Sequence, residues 1–122
     1  MAKSVHDTVL DGAFDVLDQA NLMIACNAEP TTRTQAVTTF ALADIAMVVN
    51  TDYTKANGDT SGRKVTMAAK SSVAVDITGT ATHIALVDGT NLLYVTTCTS
   101  QSLTSGNTVN FPAWDIEIAD PA

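Results

Sequence analysis

Two stretches, Ala81-Thr82-His83-Ile84-Ala85-Leu86-Val87 and Leu92-Leu93-Tyr94-Val95-Thr96-Thr97-Cys98, flank the segment Asp88-Gly89-Thr90-Asn91. Both runs are rich in β-branched and aliphatic residues, and Asp-Gly supplies the turn chemistry of a β-hairpin. This pair decides the fold class, because the same signature recurs on either side of it. Upstream, Val65 and Met67 alternate with Lys64 and Thr66, and Val73, Val75 and Ile77 alternate with Ala74 and Asp76. Asn57-Gly58-Asp59, Ser71-Ser72 and Gly79 separate these runs. Downstream, Ser105-Gly106-Asn107 makes another turn. Trp114, Ile116 and Ile118 then alternate with Asp115 and Glu117 before Pro121. Short strands at this spacing predict a mainly β domain, an antiparallel β-sandwich or barrel-like body.

The N-terminal part reads differently. Ser4 and Asp7 form an S-x-x-D helix start. Val5, Val9, Leu10, Ala13, Phe14, Val16, Leu17 and Ala20 recur at helical spacing, which predicts one amphipathic α-helix over residues 4–20. Asp7, Asp11, Asp15 and Asp18 lie within an arc of about 80° on that helix. No Lys or Arg lies between Ser4 and Ala20 to relieve their repulsion. The row reads either as a solvated acidic face or as a surface that docks against a basic neighbour. Leu22-Met23-Ile24-Ala25-Cys26 reads as a short buried strand, and Glu29-Pro30 breaks it. Thr31 to Thr39 reads as an irregular surface excursion, and Phe40 to Val49 fits a helical turn or a strand. The expected organisation is one domain over residues 1–122, with the helix at 4–20 and the β body at 22–118. Its expected core includes Leu22, Ile24, Val65, Ile84, Leu86, Leu93, Val95, Trp114 and Ile116.

Composition narrows the function classes. The chain has 122 residues and a net charge of −7, with six basic and thirteen acidic side chains. So few Lys and Arg disfavour nucleic-acid binding, which needs clustered cations. Charged residues make up only 16%, and threonine is roughly one residue in six. A surface this neutral suits contact with another protein. No apolar run approaches the ~18–20 residues of a membrane helix. Met1-Ala2-Lys3-Ser4 lacks the apolar core of a signal peptide, so synthesis and assembly in a cytoplasm are expected. Cys26 and Cys98 fit neither a metal cluster nor a disulfide scaffold and read as two buried thiols. A bridge between them would need adjacent strands.

The chain offers few chemistry-bearing motifs. Gly58-Asp59-Thr60-Ser61-Gly62-Arg63-Lys64 is one residue short of a phosphate loop and leads into a strand. His6 and His83 sit at no ligand spacing, and the aspartate row lacks the pattern of a calcium loop. Asp115 and Glu117 share a strand face, but it is the face that solvent-side residues occupy. No nucleophile motif surrounds a serine or cysteine. The expectation is a protein without catalytic, cofactor or metal residues.

Four stretches carry a resemblance: Asn57-Gly58-Asp59-Thr60-Ser61-Gly62-Arg63-Lys64-Val65-Thr66, Gly79-Thr80-Ala81-Thr82-His83-Ile84-Ala85-Leu86, Leu92 to Cys98, and Leu103-Thr104-Ser105-Gly106-Asn107-Thr108-Val109 followed by Trp114-Asp115-Ile116. Together they resemble a family of small virion structural proteins of tailed bacteriophages and prophages. The resemblance extends over nearly the whole chain, including Glu29-Pro30-Thr31-Thr32 and the N-terminal helix. It implies a protein assembled onto a virion, foremost a capsid decoration (cement) protein. Such a protein would bind the major capsid protein as a homo-oligomer, without nucleic acid or membrane as partner. Head–tail joining, a tail component, and a receptor- or glycan-binding fibre module are the alternative roles. Tyr53 and Tyr94 would be the sugar-stacking residues in the last. The expected partner contacts are Ala2-Lys3-Ser4, with Lys3 the cation, and the aspartates Asp7, Asp11, Asp15 and Asp18.

Overall fold

In the computed structural model, residues 5–119 are described, and Ala2, Lys3 and Ser4 lie outside them. One helix, α1 (Asp7–Leu17), precedes nine strands among the described residues. These are β1 (Leu22–Cys26), β2 (Ala41–Ala46), β3 (Tyr53–Asn57), β4 (Arg63–Met67), β5 (Lys70–Ala74), β6 (Gly79–Val87), β7 (Leu92–Leu103), β8 (Thr108–Phe111) and β9 (Trp114–Ile118). Every pairing between them is antiparallel. The sheets have the orders β2-β1-β6-β7, β3-β4-β9 and β5-β8. The protein is thus mainly β with an N-terminal helix, as its alternation predicts, and its sheets stay open instead of closing into a barrel.

The three sheets share one core. Met23, Ala25, Leu42 and Leu86 enter it from the largest sheet, and Tyr53, Val65, Met67 and Ile116 from the second. Val73 and Phe111 come from the two-stranded β5-β8 sheet, and Phe14 from α1. A second, smaller cluster lies on the other face of β1 and β6, where Ile24, Cys26, Ala85 and Val87 pack with Ala36. Ala36 belongs to a π-helical turn, Gln35–Thr39, in the segment that reads from sequence as irregular. That turn covers the second face of β1, which explains why five consecutive apolar residues form a strand without alternation.

The β6–β7 hairpin forms as its sequence predicts. Asp88 Oδ1 accepts the backbone N–H groups of Thr90 (2.7 Å) and Asn91 (2.6 Å), which fixes the turn. Gly58 to Gly62 form the β3–β4 connection, and Arg63 and Lys64 already belong to β4. Gly62 has φ +71°, and a Cβ there would collide with the Ile118 carbonyl. The helix begins later than its S-x-x-D reading suggests. His6 is extended and acts as N-cap, its Nδ1 accepting the Thr8 N–H at 3.1 Å.

Candidate functional site

Two surfaces stand out, the flank where α1 meets β3 and β4, and the outer edge of β7. Around the helix, Leu10, Phe14 and Leu17 span about 60° and face the core. The apolar residues seen in the sequence cover about 180°, more than the body can bury. Val9 and Val16 therefore stay 65% and 58% exposed, with Gly12 and Ala13 exposed between them. The aspartates flank the buried face on its opposite side, and there they meet cations.

Those cations follow from strand periodicity. Lys55 shares the parity of buried Tyr53 on β3, and Arg63 shares that of buried Val65 and Met67 on β4. Both side chains thus rise from the inner sheet face, at its rim, toward the helix. Arg63 Nε donates to Asp11 Oδ1 at 2.9 Å and Nη2 to Asp11 Oδ2 at 3.3 Å, while Nη1 reaches Asn57 Oδ1 at 2.9 Å. Lys55 bonds both Asp15 and Asp18, the latter at 2.9 Å. The Asp11 hydrogen bond is the main cause that raises the Arg63 pKa, and Asp7 adds attraction from further away. Asp18 is buried, and its Oδ1 has no hydrogen-bond partner. Beside it, Tyr53 donates its hydroxyl to the Ala20 carbonyl at 2.6 Å.

The structure thus brings three of the four helix aspartates onto the chain's own Lys55 and Arg63. Asp7 is exposed and Asp15 keeps a largely exposed side chain, whereas Asp11 and Asp18 are engaged and partly or wholly covered. Sequence reasoning missed the cations. Their signal was parity: each sits two or four residues from a core residue on a strand.

Tyr53 is buried, and Tyr94 stacks on Trp114 with ring centroids 6.0 Å apart, so neither tyrosine is the free stacking platform the sequence allowed. Cys26 and Cys98 are free thiols, since β6 lies between their strands. Burial, with Cys98 nearby, pushes the Cys26 thiol up to about 11, so it stays protonated at neutral pH. Asp115 and Glu117 are exposed, and Lys64 pairs with Asp59 at 2.7 Å and with Asp115 at 3.7 Å. His83 is half-buried with Nδ1 2.8 Å from the Thr82 hydroxyl. Among the described residues no three His, Cys, Asp or Glu side chains gather as a metal-binding group, and no helix is long and apolar enough to cross a membrane.

The β7 edge contrasts with the helix flank. From Leu92 to Leu103 this strand carries no charged side chain and no proline. Its register against β6 slips twice, leaving Leu93 and Cys98–Ser100 without direct partners. Under the second slip lies a mainly apolar cleft of about 220 Å³, lined among others by Ala81, Ile84, Cys98 and Phe111. No family model matches the chain, and neither a curated protein nor a solved structure matches it.

Proposed function

We propose that this chain is a structural protein of a tailed-bacteriophage virion, a capsid decoration protein that binds the outer lattice of the major capsid protein. In this role it is made in the host cytoplasm, acts as a homo-oligomer and has its final place on the particle. The resemblance in the four quoted stretches supports the phage assignment. The observation that carries the binding role is the uncovered apolar face of α1, Val9 and Val16 with Gly12 and Ala13 between them. Burying such a face against coat protein contributes about 25 cal/mol per Å² of apolar surface. Exposed Asp7 and Asp15, on the other side of the helix, would favour a basic neighbour, at long range and in a salt-dependent way.

Mechanistically, each copy adds contacts across a capsomer boundary and holds the expanded shell against internal DNA pressure. Many copies on a lattice need only modest individual affinity, because tethered contacts reinforce one another. Expanded heads that lack the protein test this directly. Added chain should bind them saturably and raise the temperature at which they release DNA, and Val9→Asp with Val16→Asp should abolish both effects. Heads that neither bind the chain nor gain stability would overturn the proposal. Binding at the neck or tail alone would favour the joining or tail role, and loss of adsorption with sound heads the fibre role.

A further inference from the structure

An edge strand leaves the N–H and C=O groups of alternate residues without a protein partner, which makes the edge a template for another strand. The molecule guards most of its edges. The outer side of β2 is covered, since Asp76 and Ile77 donate their N–H groups to the Leu42 carbonyl and Ala43 bridges Val75. The β3 edge carries Lys55, and the β9 edge carries Asp115 and Glu117. The β8 strand is uncharged, but it is only four residues long and runs into Pro112. Short edges, charges and covering segments are the usual protections.

The β7 strand has none of these protections over its twelve residues, apart from its bulges. Among the described residues it pairs with β6 alone. Between the two register slips it offers one regular run, Tyr94–Thr97, and beyond them a second, Gln101–Leu103. Thr97, Gln101 and Ser102 are exposed there.

Charge identifies the occupant. A chain at −7 repels its own copies over most of its surface, and antiparallel self-pairing sets each strand against its own reversed sequence. On β9 that would oppose acidic residues to acidic residues, and on β3 lysine to lysine, both of which cost stability. On β7 every juxtaposition is between uncharged groups. We propose that two copies of this chain associate through β7, pairing antiparallel about a two-fold axis so that the two largest sheets become one continuous sheet. A two-fold contact of this kind is self-complementary and closed, so it ends at two copies instead of growing into fibres. The inference does not depend on the virion reading.

Sedimentation velocity on the full chain over a concentration series reads it out. The expected species has twice the 12.7 kDa chain mass. Thr97→Lys combined with Gln101→Lys should sediment as a monomer with an unchanged thermal midpoint, while Val16→Asp should stay a dimer. If the lysine variant does not fold, hydrogen exchange on the unaltered chain decides. Amides of Tyr94–Thr97 should exchange about tenfold or more slowly at high than at low concentration, with α1 unchanged. A chain that stays monomeric throughout overturns the proposal. So does a dimer that Val16→Asp dissolves and the lysine variant leaves intact, or concentration-dependent protection confined to α1.

Discussion

The α1 flank and the β7 edge use charge in opposite ways. On the flank, Asp11, Asp15 and Asp18 meet Arg63 and Lys55 within one small area, although the chain has only six basic residues in all. Along β7, twelve successive residues carry no charge. Two cations answer three aspartates there, so most of the net charge of −7 lies elsewhere on the molecule, while β7 is left to apolar and hydrogen-bonding contact. A row of like charges on a helix can be an internal fastening when a sheet rim supplies the counter-charges.

The largest expected effect breaks the fastening from the apolar side. Phe14 is fully buried, so Phe14→Ala should cost about 3–5 kcal/mol in denaturant unfolding. A cost below about 1 kcal/mol would mean that the ion pairs alone hold α1. Next comes Lys55→Met, which strands the buried Asp18 carboxylate without its cation and should cost about 2–3 kcal/mol. Adding Asp18→Leu should recover most of that loss, because a buried pair replaced by apolar groups is nearly neutral.

How far these residues could be read in advance differs between the two regions. Alternation of apolar and polar residues made β4, β9 and the β6–β7 hairpin legible, and Asp88-Gly89 marked the turn. The Phe40–Val49 stretch was ambiguous because Leu42 and Ala43 are buried side by side, which breaks the alternation of a strand with one covered face. The helix was legible as a helix, but its seating was not. Its apolar arc is wider than the buried face, so the sequence allowed either half to point inward. Tertiary pairing with Lys55 and Arg63, more than thirty residues away in the chain, selects the half that contains Phe14. The open edge of β7 depends on strand order, which no local pattern encodes.

Acid should weaken the fold through carboxylates away from α1. Burial alone would raise Asp52, but the hydrogen bonds from Lys70 (2.8 Å) and the Val48 N–H (2.6 Å) outweigh it and hold this group below its ordinary value. The Asn91 and Thr90 amides lower Asp88 likewise. Both folded values lie below the unfolded ones, so the unfolded chain binds more protons as pH falls. Stability from these groups should be complete above about pH 5 and lost progressively below about pH 4. Thermal unfolding against pH checks this, and Asp52→Asn should flatten the acid limb.

The smallest effect belongs to Asp15. Its side chain is largely exposed and shares Lys55 with Asp18, so Asp15→Asn should change stability by less than about 0.5 kcal/mol and lose even that in high salt. A larger cost would show that the flank acts as one coupled network and not as a single buried pair with exposed company.

Copy number in purified virions, measured by quantitative densitometry against the major capsid protein, tests the functional proposal most directly. A lattice-binding role requires a number in the hundreds, on the order of the coat protein itself. Absence of the chain from purified particles would contradict it.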